Sequence, residues 1–341
     1  MSRITLQDLA YELNISVSTV SKALKGYPDV SEKTKKAVVE LADKLNFSPN
    51  IVASNLRTQH TKTIGVIVPE IVHHFFSNVI GGIINIAEQN GYMVILLQSN
   101  EKFELEQKQI NLLIQQQVDG ILMSLTAHTT SFEHIKRVQT RGIPLVMYDK
   151  VSKNINCSKV IIDDKQAAYD AVSYLIRKGY KRIAFLGGSL TAQNFNNRFL
   201  GYKEALSEFR IKYDESIVYI TDSDDEYENG MKYAEKIVSD HSKSKVDALF
   251  TVTDLMAVGA SKYFNSNEIK IPEDIAIFGF SNWFMSSIVT PSLSTVNQPG
   301  YEMGEKSVEL LLKEIALKKE RQQIEIQRLV IPTSLEIRES T

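Results

Sequence analysis

Residues 5–25 read Thr5-Leu-Gln-Asp-Leu-Ala-Tyr-Glu-Leu-Asn-Ile-Ser16-Val-Ser-Thr-Val-Ser-Lys22-Ala-Leu-Lys25 and predict two short helices joined by a tight turn. Thr5 can cap the first helix, and Asp8, three residues later, completes a capping box. Asn14 tolerates the left-handed backbone that a tight turn between helices needs. The apolar residues of the first helix fall at helical spacing, namely Leu6, Leu9, Ala10 and Leu13.

The second helix has a polar outer face. Ser16 can cap it, and its inner face consists of Val20, Ala23 and Leu24. Small hydroxyls and a cation at the start of an exposed helix suit the major groove of DNA, because short side chains let the backbone approach the bases. The outer face presents Val17, Ser18, Ser21, Lys22 and Lys25. The pattern predicts a helix-turn-helix, and an ordinary solvated helical hairpin is the alternative.

A third helix and a marginal fourth one follow. Ser31 caps a helix that runs to Leu45, and Phe47 closes the small core. Pro49 blocks continuation of that helix, and Asn50 can cap a new one. A helix barely two turns long is marginal in water. We therefore expect it to order only when something packs against it.

The motifs of the first 56 residues are Thr5-Leu-x-Asp8-Leu-Ala10, Ile15-Ser16-x-x-Thr19-Val20-Ser21, Val30-Ser31-x-x-Thr34, Leu45-x-Phe47-x-Pro49-Asn50 and Ala53-x-x-Leu56. Their combination resembles the lactose-repressor/galactose-repressor family. The resemblance implies that the second helix reads the major groove and that a hinge helix at residues 50–57 enters the minor groove, with Leu56 as an apolar wedge. A buried helix residue is the alternative for Leu56.

The DNA contacts that follow are Thr5, Ser16, Val17, Ser18, Thr19, Ser21, Lys22, Asn50, Ala53, Leu56 and Arg57. Lys22 departs from the arginine that is frequent at its position in the family. A point cation lacks the guanidinium fork, so the preferred base stays open.

Charge divides the chain. Residues 1–62 hold nine Lys and Arg against six Asp and Glu, a net charge of +3, and the remainder holds 30 against 35, a net charge of −5. A basic head on an acidic body suits phosphate contact at one end. No apolar run approaches the ~20 residues that span a bilayer. No signal pattern begins the chain, so we expect a cytoplasmic protein without a membrane partner. The single cysteine, Cys157, excludes an internal disulfide framework.

Beyond residue 62 short apolar runs alternate with helical patterns, which is typical of parallel sheets in βαβ units. The rhythm restarts at Lys159–Ile162. Two such halves resemble the periplasmic sugar-binding-protein fold, the family's regulatory domain. The predicted fold class is thus an all-α helix-turn-helix head plus two doubly wound α/β subdomains with a cleft between them.

The expected domains are a helix-turn-helix domain at 1–48, a hinge helix and linker at 49–61, and an effector-binding and dimerisation domain at 62–341. Within the last of these, the first half is expected at about 62–158 and 292–320, and the second half at about 159–291 and 321–341. The resemblance implies three crossings between the halves.

Ligands of open α/β sheets lie beyond the carboxyl ends of the strands, where this chain carries aromatic and polar side chains that suit a polyhydroxylated ring. The resemblance and these positions together predict effector contacts by Phe75, Phe76, Ser124, Asp149, Arg198, Thr253, Asp254, Ser281 and Trp283. Four separate alternatives stay open: Phe75 and Phe76 are core residues, Asp254 caps the following helix, Trp283 packs in the core, and Arg198 forms a structural ion pair. Ser281 stands where many family members carry an aspartate, and Asp225 near where an aromatic often stacks on the ligand, so the ligand's identity stays open.

The sequence lacks the motifs of common enzyme classes: a phosphate loop, G-x-G-x-x-G after a strand, and the G-x-S-x-G nucleophile elbow. The adjacent His73 and His74 lack metal-ligand spacing with a third partner. We therefore expect no catalysis, no cofactor and no metal. The prediction is a transcriptional regulator, of the repressor type, that binds palindromic operator DNA as a homodimer or larger oligomer and responds to a sugar or sugar derivative. The alternatives are a non-sugar effector such as a purine, or a solute-binding protein.

Overall fold

Three short helices form the N-terminal unit of the computed structural model, which describes residues 4–47, 60–221, 225–240 and 245–341. They are α1 (Leu6–Leu13), α2 (Val17–Leu24) and α3 (Glu32–Lys44). Contacts divide the chain into the units Met1–Thr61 and Lys62–Thr341. The predicted hinge helix, with Asn50, Ala53, Leu56 and Arg57, lies outside the described residues.

Local hydrogen bonds explain where these helices begin and end. The predicted capping box is confirmed: the Asp8 N–H donates to Thr5 Oγ1 over 3.3 Å, and the Thr5 N–H donates to Asp8 Oδ2 over 2.8 Å. Asn14 ends α1 with a left-handed backbone, φ 52°. The side chains of Ser16 and Ser31 cap α2 and α3. Leu9, Val20 and Val38 form a fully buried core between the three helices.

The larger unit contains two six-stranded sheets. The first sheet has the order β11-β5-β4-β3-β1-β2, with every pairing parallel. Its strands are β1 (Thr63–Val68), β2 (Met93–Gln98), β3 (Gly120–Met123), β4 (Leu145–Tyr148), β5 (Ser158–Ile162) and β11 (Arg328–Ile331). The order places β1 and β3 at the centre and β2 at an edge.

The second sheet has the order β12-β10-β9-β8-β6-β7. It is parallel except for β12, which runs antiparallel to β10. Its strands are β6 (Ile183–Gly187), β7 (Val218–Ile220), β8 (Ala248–Thr251), β9 (Ala276–Ser281), β10 (Ser294–Asn297) and β12 (Ser334–Glu336). Each sheet with its helices is called a lobe below.

Helices cover both faces of each sheet, so the central strands are buried along their whole length. In the first lobe, Ile64 and Val66 pack on one side of the sheet and Ile67 on the other. The helices of this unit are α4 (His74–Gln89), α5 (Phe103–Gln115), α6 (Glu133–Thr140), α7 (Asp164–Lys178), α8 (Gln193–Glu208), α9 (Glu226–Asp240), α10 (Asp254–Ser266) and α11 (Gly300–Lys319). No helix within the described ranges is both long and apolar enough to cross a membrane.

The boundaries predicted for the two halves are wrong. The strand at 158–162 pairs with β4 in the first sheet, and β10 pairs with β9 in the second. The tail is shared, because β11 joins the first sheet and β12 the second. Parallel neighbours are normally joined through a helix, but residues 149–157, between β4 and β5, form no helix. Because no helix directly precedes β5, the sequence pattern placed β5 at the start of the second half instead of at the end of the first.

Helices α4 and α11 pack so closely that two positions exclude a side chain. A Cβ on Gly82 would lie 2.1 Å from the carbonyl oxygen of Tyr301, and one on Gly304 would lie 2.1 Å from the carbonyl oxygen of Val79. Backbone atoms cannot give way as a flexible side chain can. A Cβ on the neighbouring Gly81 would only touch the Tyr301 ring at 3.5 Å.

We expect Gly82→Ala to lower the free energy of unfolding by about 1–3 kcal/mol, because it forces the two helices apart. Gly81→Ala is the matched control, and we expect it to be neutral or stabilising by up to about 1 kcal/mol through helix propensity. Urea unfolding followed by the fluorescence of Trp283 measures both. Equal effects of the two substitutions would contradict the close helix contact.

Candidate functional site

The outer face of α2 keeps its predicted residues accessible. Val17 is 40% exposed, Ser16, Ser18 and Lys22 are exposed, and Thr19 and Ser21 are half-buried. The cap organises this face, since the Thr19 N–H donates to Ser16 Oγ over 3.1 Å and the hydroxyls of Ser16 and Ser18 lie 2.7 Å apart. The predicted contact residue Thr5 uses its hydroxyl in the capping box of α1.

Lys22 forms an ion pair with Asp29, which lies in the loop before α3. Both side chains are about half exposed. The hydrogen bond from Lys22 lowers the pKa of Asp29, and the same bond raises the pKa of Lys22. Lys22 on the outer face of α2 therefore lies beside a carboxylate of its own unit.

The second candidate site is a cleft between the two lobes of the larger unit, with about 910 Å³ of space including its open mouth. Its walls come from segments that follow the carboxyl ends of the strands, as expected for open α/β sheets. The walls consist of Glu70, His73, Phe75, Phe76, Glu101, Ala127, His128, Asp149, Lys150, Gly188, Ser189, Asn194, Phe195, Arg198, Thr221, Glu226, Thr253, Leu255, Met256, Ser281 and Gln298. The structure thus brings six of the nine predicted effector residues together: Phe75, Phe76, Asp149, Arg198, Thr253 and Ser281.

Arg198 is the most firmly held charged group of the cleft. Its Nε donates to Asp164 Oδ1 over 2.8 Å and its Nη1 to the carbonyl oxygen of Val252 over 2.6 Å. Its guanidinium lies 3.6 Å from the centre of the Phe280 ring. Burial raises the pKa of Asp164 to about 6, although the charge of Arg198 pulls it down. Arg198 therefore forms the structural ion pair and lines the cleft as well.

A second charged group follows β4. Lys150 forms an ion pair with Glu101, and Asp149 accepts a hydrogen bond from Gln298 Nε2 over 3.1 Å. Burial alone would lower the pKa of Lys150, but the charge of Glu101 holds that pKa above its ordinary value. Burial raises the pKa of Asp149. Glu101, Asp149 and Lys150 line the first-lobe side of the cleft.

Two described contacts near the rim of the cleft join the lobes, in addition to the hydrogen bond from Gln298, which follows β10 of the second sheet, to Asp149. Thr191 Oγ1 of the second lobe donates to the carbonyl oxygen of Ala127 in the first over 3.3 Å. His73 Nε2 lies 3.9 Å from Glu226 Oε2. Burial lowers the pKa of His73 and raises that of Glu226. Both of these rim contacts are longer than a typical hydrogen bond between the same kinds of atoms.

Three predicted effector residues take other positions. Ser124 is fully buried behind the wall, where its Oγ accepts the Lys150 N–H over 3.3 Å. Asp254 does not cap α10; Thr253 does. Asp254 instead accepts hydrogen bonds from Thr295, Ser286 and the Trp283 N–H. Asp254 and Trp283 line a smaller cavity beside the cleft. Ser124 is thus corrected to a supporting residue, because its side chain is fully buried and holds the backbone of Lys150.

Sequence reasoning missed the charged residues Glu70, Glu101, Lys150 and Glu226. Glu70 and Lys150 each lie within two residues of a strand end, so the rule that picked Asp149 could have found them. Glu101 follows the edge strand β2, whose carboxyl end was not considered. Glu226 begins α9, and only its neighbour Asp225 was noted.

Comparisons with known proteins agree with this arrangement. Residues 61–339 match the family described as periplasmic binding proteins and sugar binding domain of the LacI family, and residues 5–50 match bacterial regulatory proteins, lacI family. The chain is 33% identical to catabolite control protein A of Priestia megaterium over 339 residues, 99% of each chain. It is 32% identical to the ribose operon repressor of Halalkalibacterium halodurans over 339 residues, 99% of this chain and 97% of that one.

A solved structure, a complex of the transcriptional regulator CelR with cellobiose, is similar with a TM-score of 0.74 and 26% identity, over 99% of this chain and 100% of that chain. The fold and these matches define a DNA-binding transcription regulator with a periplasmic-binding-protein-like domain. The chain belongs to the LacI family of bacterial regulatory proteins, which confirms the resemblance found in the sequence. These relatives are regulators rather than enzymes.

We expect Arg198→Met to lower the free energy of unfolding by about 3–5 kcal/mol, because it leaves the Asp164 carboxylate buried without a partner. The loss should be larger at about pH 8 than at about pH 5, since an unpaired buried carboxyl has a raised pKa and is neutral at the lower pH. Urea unfolding of the wild type and the variant at the two pH values measures this difference in the free energy of unfolding. The double variant Arg198→Met/Asp164→Asn should recover most of the loss, and a double variant as unstable as the single one would contradict the pairing.

Proposed function

We propose that this protein is a sequence-specific repressor of sugar-metabolism genes. It binds a palindromic operator as a homodimer, and a small molecule in the cleft controls that binding. The observation that carries the proposal is the cleft itself, whose aromatic and hydrogen-bonding walls occur in a chain that also carries an exposed helix-turn-helix face. The names of two relatives, a ribose operon repressor and a regulator in complex with cellobiose, support a sugar as the effector.

The effector contacts proposed are Phe75, Phe76, Asp149, Arg198, Thr253 and Ser281. Phe75 and Phe76 begin α4, and their rings meet edge to face with centres 5.2 Å apart. Both belong to the core of the first lobe and also border the cleft. Such apolar faces suit the C–H surface of a sugar ring, while carboxylate, amide and guanidinium groups suit its hydroxyls.

The operator contacts proposed are Val17, Ser18 and Lys22 in the major groove, with Ser16, Thr19 and Ser21 beside them. Leu56 is proposed as the minor-groove wedge of a hinge helix, with Asn50, Ala53 and Arg57 around it. Unstacking a base step costs a few kcal/mol. Two hinge helices held side by side in a dimer share that cost.

Exposed apolar side chains of the larger unit support a dimer. Ile84 on α4 and Met93 on the edge strand β2 are exposed in the first lobe, and Phe284 and Ile288 are exposed in the second. A ligand that changes the contacts between the lobes would shift the first lobes of a dimer relative to each other, and with them the spacing of the hinges. Coupling of about 1–3 kcal/mol is typical of such systems.

The role of α2 is tested by comparing Ser16→Ala with Ser31→Ala. Each removes one N-cap hydrogen bond, so each should lower stability by about 1 kcal/mol. Only Ser16→Ala should also weaken operator binding, because Ser31 lies on a different helix. An operator is first selected from random duplexes with the full-length protein, and gel shifts then compare the variants at a temperature where both are folded. Equal affinities of the two variants would contradict the assignment of α2.

The allosteric proposal is tested by a thermal-shift screen of sugars, sugar derivatives and purines. Any ligand that raises the melting temperature should change operator affinity by roughly 5-fold to 150-fold in gel shifts. Leu56→Ala should keep ligand binding but lose operator affinity. If Leu56→Ala bound the operator as tightly as wild type and with the same ligand response, the hinge proposal would fail.

A further inference from the structure

The charges on the cleft walls do not balance. Among the described residues, the walls carry the carboxylates of Glu70, Glu101, Asp149 and Glu226. The cations on the same walls are Lys150 and Arg198. A cleft with more carboxylates than cations favours a positively charged ligand over a negatively charged one.

Both cations are already engaged by carboxylates. Arg198 is paired with Asp164 behind the wall, and Lys150 is paired with Glu101. The negative charges of Glu70, Asp149 and Glu226 are then left in excess. Asp149 has a hydrogen bond from the neutral amide of Gln298, which does not cancel its charge.

Among these side chains, Glu226 has a buried carboxylate oxygen that can still accept a hydrogen bond. Its Oε2 and the Nδ1 of His73 are buried atoms without a hydrogen-bond partner in the described part of the chain. The 3.9 Å between Glu226 Oε2 and His73 Nε2 is too long for a hydrogen bond. Buried polar atoms normally have partners, so a donor from a ligand fits this position.

The charged groups of the cleft influence one another's pKa values. Burial raises the pKa of Glu70, the charge of His73 opposes that rise, and the charges of Glu101 and Glu226 add to it. Burial and the charge of Lys150 lower the pKa of His73, which disfavours an imidazolium that would offset the carboxylates. A metal ion does not match the arrangement, because no three His, Cys, Asp or Glu side chains of the described residues converge on one point.

We propose that the cleft takes an amino sugar, a polyhydroxylated ring with one ammonium group, and that Glu226 receives the ammonium. This inference rests on the proposed function of the same cleft and names the chemistry of its ligand. The aromatic walls and the amides of Asn194 and Gln298 suit the ring. A phosphorylated or carboxylated sugar would place its anion among the excess carboxylates and is disfavoured.

Calorimetric titration of the full-length protein tests the inference. The ligands are glucosamine, galactosamine and mannosamine, each beside its parent hexose, its N-acetyl derivative and its 6-phosphate. At least one amine should bind roughly tenfold or more tightly than its three counterparts, because a charge-assisted hydrogen bond is about twice as strong as a neutral one. Glu226→Gln should reduce the preference for that amine over its parent hexose to within about twofold.

Glu228→Gln is the matched control, since Glu228 is exposed on the same helix, and it should keep the preference of the wild type. The inference is overturned if no amine binds, if a neutral or phosphorylated sugar binds as tightly, or if Glu226→Gln leaves the preference intact. A neutral sugar that binds as tightly as any amine and alters operator affinity would overturn the inference and leave the proposed function standing. An amine that binds without any effect on operator affinity would support the inference and refute the proposed control of DNA binding.

Discussion

Parallel strands that are buried on both faces leave a chain with few places for polar side chains. In the larger unit, helices cover both faces of each sheet, and the central strands are buried throughout. Polar groups therefore collect where strands end and loops begin. Since all but one of the strands run parallel to their neighbours, these ends lie on one edge of each sheet. Two such edges face each other, and the cleft is the consequence.

The charged groups of that cleft fall into two kinds with different tasks. Arg198 is almost wholly buried and bound to Asp164 and to the Val252 carbonyl, so its position is fixed before any ligand arrives. A fixed group costs little ordering entropy when it binds. Glu226, in contrast, has a buried oxygen without a hydrogen-bond partner in the described part of the chain. A fixed group such as Arg198 helps to define the shape of the cleft. An unsatisfied group such as Glu226 gains a hydrogen bond when a ligand donates one.

Sequence patterns predicted what is decided locally. The caps of α1, α2 and α3 depend on residues three positions apart, and all three are found as expected. The sheet to which β5 belongs depends on a partner chosen across the fold, and a run buried on both faces carries no mark of that partner. The same limit applies to the site. Asp149 could be predicted from its place after a strand, but the position of Glu226 opposite His73 depends on how the two lobes meet.

Two of the described contacts across the cleft indicate the scale of the energies with which a ligand competes. One is a hydrogen bond of 3.3 Å from Thr191 to Ala127, and the other is the 3.9 Å approach of His73 to Glu226. A single hydrogen bond contributes about 0.5–1.5 kcal/mol net, and the second contact is longer than one. Coupling between sites of about 1–3 kcal/mol is of the same size. A ligand that donates a hydrogen bond to Glu226 therefore gains an interaction of about the same size as either of these two contacts.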